Sequence, residues 1–242
     1  MSCHPNRRRL LLGLSIGLVA AGALPAWART RIDSRWLQVE VQDRDSGETL
    51  AVHTAADGQR YVAGRPGARY GVLLRNLRRE RVLVVMSVDG LNVLTGQTAG
   101  WSQDGYVLGP LQAAQIAGWR KSDREIAAFE FTAPGDSYAA RTGRPLDLGV
   151  IGVAVFAERR PEPPPPPTAP PLQSPSAEAQ DAASAAPARR ERSANIAEQK
   201  LGTGHGQREE SVVTHTRFER ARATPDEVVA LRYDSRANLV RM

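Results

Sequence analysis

The side chains able to do chemistry are few and scattered. The 242 residues include four histidines and one cysteine. A nucleophilic triad needs a nucleophile, a histidine base and an acid that orients it. Gly-x-Ser-x-Gly occurs only at Gly13–Gly17, inside the apolar N-terminal run, so after it no such turn offers a serine nucleophile. His53 and His215 stand beside threonines in strand-like segments, the ordinary setting of a surface or half-buried histidine. His205 differs, because glycines flank it in Gly202-Thr203-Gly204-His205-Gly206. A flexible loop of that kind can carry an imidazole over a pocket. With a nearby acid such as Asp104, His205 would serve a hydrolase; the plainer account is a joint between a linker and a strand.

Metal and cofactor patterns are missing. There is no His-Glu-x-x-His and no closely spaced His/Cys set. Asp43, Asp45 and Glu48 gather around Gly47, but a calcium loop needs more oxygen ligands in sequence, and a polar hairpin tip accounts for them. Gly202–Gly206 is not followed by Lys-Ser or Lys-Thr, so it does not read as a phosphate cradle. No cofactor or metal is expected.

The loop aromatics offer more. Trp101-Ser102-Gln103-Asp104-Gly105-Tyr106 leads into a strand, and Gly118-Trp119-Arg120-Lys121-Ser122-Asp123 is a second aromatic and charged stretch. Exposed Trp and Tyr beside Asp and Arg can stack on sugars or anchor a protein partner. The candidate binding residues are therefore Trp101, Asp104, Tyr106, Trp119, Arg120 and His205. The competing account makes Tyr106 and Trp119 edge-of-core aromatics.

The elements that would position these residues read as strands. Trp36 to Val41 alternates apolar and polar residues, Thr49 to His53 is a second candidate, and Tyr70 to Leu77 sets Val72 and Leu74 on one face. Tyr61-Val62-Ala63, Tyr106-Val107-Leu108, Gln112 to Ile116 and Ala127 to Thr132 are shorter candidates. The firmest local prediction is a hairpin from Arg81 to Thr95. Asp89-Gly90 favours a type I′ turn, which sets Val88 opposite Leu91, Met86 opposite Val93 and Val84 opposite Thr95. At Ser122, with Glu125 three residues on, a short helical turn is expected before the next strand. Val150 to Phe156 is apolar on both faces and should be a central strand. Many short strands between Gly, Pro and Asp turns imply an all-β fold, a β-sandwich of immunoglobulin-like or jelly-roll-like type, over residues 32–158.

Composition breaks at Arg159. Pro163 to Pro167 and a stretch rich in Pro, Ala and Ser run to about Arg192; such a linker, 159–192, should be disordered with a stiff polyproline II start. Residues 193–242 resume with a short helix at Ser193 to Leu201, a mobile Gly202–Gly206 loop, and strands at Glu210 to Phe218 and Val228 to Tyr233. That tail is too short to hold a core alone and should add strands to the sandwich.

The N-terminus carries an address. Arg7-Arg8-Arg9 precede an apolar run from Leu10 to Leu24, about 15 residues against the roughly 20 that a membrane span needs. Ala26-Trp27-Ala28 is a small-x-small cleavage pattern, so residues 1–28 read as a secretory signal peptide. Arg7-Arg8-x-Leu10-Leu11 is compatible with the twin-arginine route as well as the general one. The whole chain has a net charge of +6; removing three arginines leaves +3, too small and too scattered for nucleic acid. Cys3 leaves with the signal, so the processed chain has no disulfide. The protein is expected to be periplasmic or extracellular, without a membrane span after processing.

The segments Ser87-Val88-Asp89-Gly90-Leu91-Asn92-Val93, Gly118-Trp119-Arg120, Ser137-Tyr138-Ala139-Ala140-Arg141-Thr142-Gly143 and Gly202-Thr203-Gly204-His205-Gly206 resemble an uncharacterised family of bacterial exported β-rich proteins. The resemblance implies that the tail belongs to the same structural unit as the sandwich; it carries no activity and no functional residue. On these grounds the expected function is that of an exported, non-catalytic binding or envelope-interaction module whose partner, an envelope protein or a surface polymer, the sequence does not identify. The alternatives are carbohydrate or surface-polymer recognition through Trp101, Tyr106 and Trp119, and a hydrolase built on His205.

Overall fold

The computed structural model describes residues 30–144, 147–160 and 201–242. The signal-like N-terminus, nearly all of the Pro/Ala-rich linker, and the helix expected at Ser193 to Leu201, save Leu201 itself, lie outside these residues. Among the described residues, fourteen strands form two sheets, with very little helix. The first sheet holds β1 (Ile32–Asp33), β2 (Leu37–Asp43), β5 (Arg69–Asn76), β9 (Ala113–Ile116), β10 (Gly118–Arg120), β11 (Glu125–Thr132) and β13 (Gly202–Glu210). The second holds β3 (Val52–Thr54), β4 (Arg60–Gly64), β6 (Val82–Val88), β7 (Leu91–Asn92), β8 (Tyr106–Leu108), β12 (Val150–Ala157) and β14 (Glu227–Ser235). The chain is thus an all-β sandwich.

Alternation builds the core. Leu37, Val39 and Val41 on β2, and Val72 and Leu74 on β5, point to one face and are buried. Phe129 and Phe131 join them from β11. Val84, Met86 and Val88 of β6, Ile151, Val153 and Val155 of β12, and Val229, Leu231 and Tyr233 of β14 belong to the same core cluster. β12 is central, between β6 and β14, which is why Val150 to Phe156 is apolar on both faces. On its outer side Leu83, Val85, Ala154 and Phe156 make a second cluster, with Phe218 packed on it. The Arg220 guanidinium lies 4.9 Å from the Phe156 ring centre.

The hairpin at Asp89-Gly90 has the expected type I′ geometry, with φ of 51° and 74°. Val88 faces Leu91 and Ser87 faces Asn92. Val93 still donates its N–H to the Met86 carbonyl at 3.1 Å, as the expected Met86–Val93 pair requires, and past it the pairing departs from expectation. The Asn92 side-chain oxygen accepts from the N–H groups of Leu94 (2.7 Å) and Thr95 (3.2 Å), which curls the chain away. Val84 consequently pairs with Tyr106 of β8 rather than with Thr95.

Three further expectations are corrected. No helical turn forms at Ser122; the N–H groups of Lys121 and Ser122 both donate to the Glu125 carbonyl, closing a tight turn between β10 and β11. Gly202–Gly206 is not a loop but the start of β13, with Thr203 opposite Phe131 and His205 opposite Phe129. Its glycines serve close packing: a Cβ on Gly202 would sit 2.6 Å from the Ser137 Cβ. The strand expected at Glu210 to Phe218 ends at Glu210, and residues 211–218 run on without strand pairing.

The two tail strands enter different sheets. β13 pairs with β11, while β14 lies between β12, antiparallel, and β4, parallel. Deleting residues 223–242 should therefore abolish cooperative thermal unfolding as followed by circular dichroism. Leu231→Ala, at a site 1 % exposed, should cost about 3 kcal/mol in urea denaturation. A truncated chain that melts as sharply as the full one would contradict this topology.

Candidate functional site

The six candidate residues fall into three places. Trp119 and His205 share the first, at one end of the space between the sheets. The β10–β11 register sets Trp119 opposite Ala127, facing inward, and Trp119 is 2 % exposed. Of its two accounts, exposed binding aromatic or edge-of-core aromatic, the second holds, and Trp119 closes the core. Its ring meets Phe129 edge-on at 5.3 Å and lies 5.0 Å from Tyr138, and its indole N–H donates to the Gly204 carbonyl at 3.3 Å. His205 faces Phe129 across the ladder and is half-buried. The register slips by one residue just after it, at Gly206-Gln207, a bulge of the kind that re-aims a side chain. The imidazole lies 5.5 Å from the Tyr138 ring.

Tyr138 comes from α1 (Tyr138–Arg141), a single turn capped by Ser137, whose hydroxyl accepts from the Ala140 N–H at 3.1 Å and donates to the Pro134 carbonyl at 2.7 Å.

Arg120 and Tyr106 make the second place. The Arg120 guanidinium reaches the Tyr106 hydroxyl at 3.4 Å and the Ser211 hydroxyl at 3.1 Å, and its backbone N–H donates to the Val93 carbonyl at 2.9 Å. These bonds brace β8, β10 and the segment after β13. Trp101 and Asp104 occupy the third place, the exposed loop before β8. Trp101 is 55 % exposed and walls a groove of about 290 Å³ on the outer face of the second sheet. Val228, 57 % exposed, also lines it, over Val85, Ala154, Ser87 and Gly152.

Sequence reasoning missed the buried polar centre. Asp89, read only as a turn residue, has no solvent exposure. Its carboxylate accepts from the N–H groups of Gly149 (2.8 Å) and Thr203 (2.6 Å) and from the Tyr233 hydroxyl. The Thr203 hydroxyl is in turn 2.6 Å from both the Tyr70 and the Tyr233 hydroxyls. Thr203 is 114 residues from Asp89, and no spacing rule links them. Burial strips water from the carboxylate and raises its pKa to about 6, against the pull of its three donors. Burial likewise pushes Tyr70 and Tyr233 well up, so both stay neutral donors.

The four segments Ser87–Val93, Gly118–Arg120, Ser137–Gly143 and Gly202–Gly206 therefore meet in space. Asp89 holds Thr203, Val93 holds Arg120, Trp119 holds Gly204, and Tyr138 packs on Trp119 and His205.

The His205 imidazole has no hydrogen bond to a carboxylate or hydroxyl among the described residues, so no base–nucleophile pair is assembled there. Its pKa is lowered, first by burial and then by Lys121, Arg141 and Arg208. Among the described residues no three His, Cys, Asp or Glu side chains converge as a metal would require. No helix there is long and apolar enough to cross a membrane. No family model, curated protein or solved structure matches the chain.

Two measurements check this geometry. The first is pH-dependent stability. A raised carboxyl pKa contributes its stability fully below about 3.8 and loses it as pH rises through about 6. His205 acts the opposite way, contributing above 6.5 and losing as pH falls. Asp45, held low chiefly by the Arg69 N–H and guanidinium, matters only in more acidic solution. Asp89→Asn removes the first contribution alone. From pH 7 to pH 5, wild type should gain about 1 kcal/mol on the variant in chemical denaturation. A pH-independent difference would mean that Asp89 titrates as an ordinary carboxylate. The second is fluorescence of residues 29–242: Trp101→Phe should remove most acrylamide-quenchable emission, while Trp119 stays protected.

Proposed function

We propose that the chain is an exported, non-catalytic binding module that seats an envelope partner in the Trp101 groove. One observation carries this reading. Elsewhere the apolar outer face of the second sheet is covered by Phe218 and Arg220, yet Trp101 and Val228 stand more than half exposed beside Val85 and Ala154. An exposed aromatic over a floor of small residues is the anatomy of an interaction site. Export is supported by Arg7-Arg8-Arg9, the short apolar run and Ala26-Trp27-Ala28. A sugar or polymer ligand would rely on Trp101, since Trp119 is buried and Tyr106 is engaged by Arg120. A hydrolase would need an acid to orient His205, and none bonds to it among the described residues.

The test is retention from envelope extract and from purified surface polymers on immobilised wild type, Trp101→Ala and Val228→Asp. Wild type should retain a saturable component that both variants lose, with unchanged melting temperatures. Equal retention by all three would refute a role for the groove.

A further inference from the structure

A cluster of cations stands around Tyr138 and His205. Lys121 follows β10 directly, and its ammonium lies 5.6 Å from the Tyr138 ring centre. Arg141 is three residues after Tyr138 in α1, on the same side of that turn. Arg208 lies on β13 three residues beyond His205. All three act electrostatically on the His205 ring, whose half-buried position already disfavours protonation.

These cations are less neutralised than others in the molecule. Arg44, Arg65, Arg69, Arg81 and Arg222 each face a carboxylate within 3.1 Å. Lys121 and Arg141 have no carboxylate within 4.0 Å among the described residues, and Arg208 has only Glu125 at 3.9 Å. The nearest strand offers no remedy: Glu130 of β11 alternates with the inward Phe129 and Phe131, so it points to the other face of the sheet. A ring pair beside Lys121 and Arg141, two cations without a carboxylate within 4.0 Å among the described residues, suits a multiply charged oxyanion, which can accept from several donors at once.

We propose that this end of the sandwich binds a phosphate group, held by Lys121 and Arg141 beside the Tyr138–His205 pair. Arg208 adds positive field from β13. The site is distinct from the Trp101 groove and does not depend on it. The phosphate can belong to a small ester or to a phosphate-bearing polymer, since the recognising chemistry is the same.

The experiment is nuclear magnetic resonance titration of residues 29–242 at low ionic strength, with inorganic phosphate and with polyphosphate. Phosphate should perturb His205 and Tyr138 saturably and raise the pH at which His205 protonates. The groups facing His205 are Lys121, Arg141, Arg208 and Tyr138, so a bound dianion offsets the three cations that oppose its charge. Lys121→Gln with Arg141→Gln should weaken binding about tenfold or more, as expected for loss of charge-assisted hydrogen bonds. Arg79→Gln, an exposed cation outside the cluster, should leave it unchanged. Polyphosphate binding more tightly, with the same dependence on Lys121 and Arg141, assigns the ligand to a polymer; equal affinity per phosphate assigns it to a small ester. Absence of a saturable His205 response, or equal weakening by Arg79→Gln, would overturn the site.

Discussion

One buried carboxylate ties distant parts of this chain together. Asp89 sits at a tight turn with a positive φ and no exposure, where an unsatisfied charge would cost several kcal/mol, of order 3–5. The cost is offset by three donors drawn from three other places: the residue before β12, the second residue of β13, and β14. Thr203 extends the centre to Tyr70 in the first sheet and Tyr233 in the second. Packing alone leaves sliding of two apolar sheet faces weakly resisted. Directional bonds to a carboxylate with no water to fall back on resist it strongly.

The rest of the architecture depends on that register. With Thr203 fixed on Asp89, β13 runs along β11 and carries His205 to the mouth of the sandwich. Trp119 then finds the Gly204 carbonyl, and Tyr138 closes over both rings. On leaving β13 the chain passes Arg120, covers Phe156 with Phe218 and Arg220, and inserts β14 beside β12. The groove at Trp101 is the part of the outer face that this covering leaves open. The cation cluster lies instead where β10, α1 and β13 come together.

Much of this was legible in local pattern. The alternation of Leu37 to Asp43, the two-faced apolarity of Val150 to Phe156 and the Asp-Gly turn each express a rule acting over a few residues, and each has its expected form. The failures share a cause. Gly202–Gly206 reads as flexible because glycine permits many conformations, but here its small size admits Ser137. Trp119 reads as a loop aromatic because nothing local shows that Ala127 lies opposite it. Asp89 reads as a turn former because its partners are more than fifty residues away.

Sequence alone therefore determined the strand-rich class, the hairpin, the central position of β12 and the poverty of reactive side chains, because these follow from residue type and near-neighbour spacing. The tertiary structure decided which aromatics are buried, that the tail strands divide between the two sheets, and that Asp89, Thr203, Trp119, Tyr138 and His205 stand together. Long-range pairing decides those matters, and its register is set by hydrogen bonds and packing between segments that carry no mark of each other.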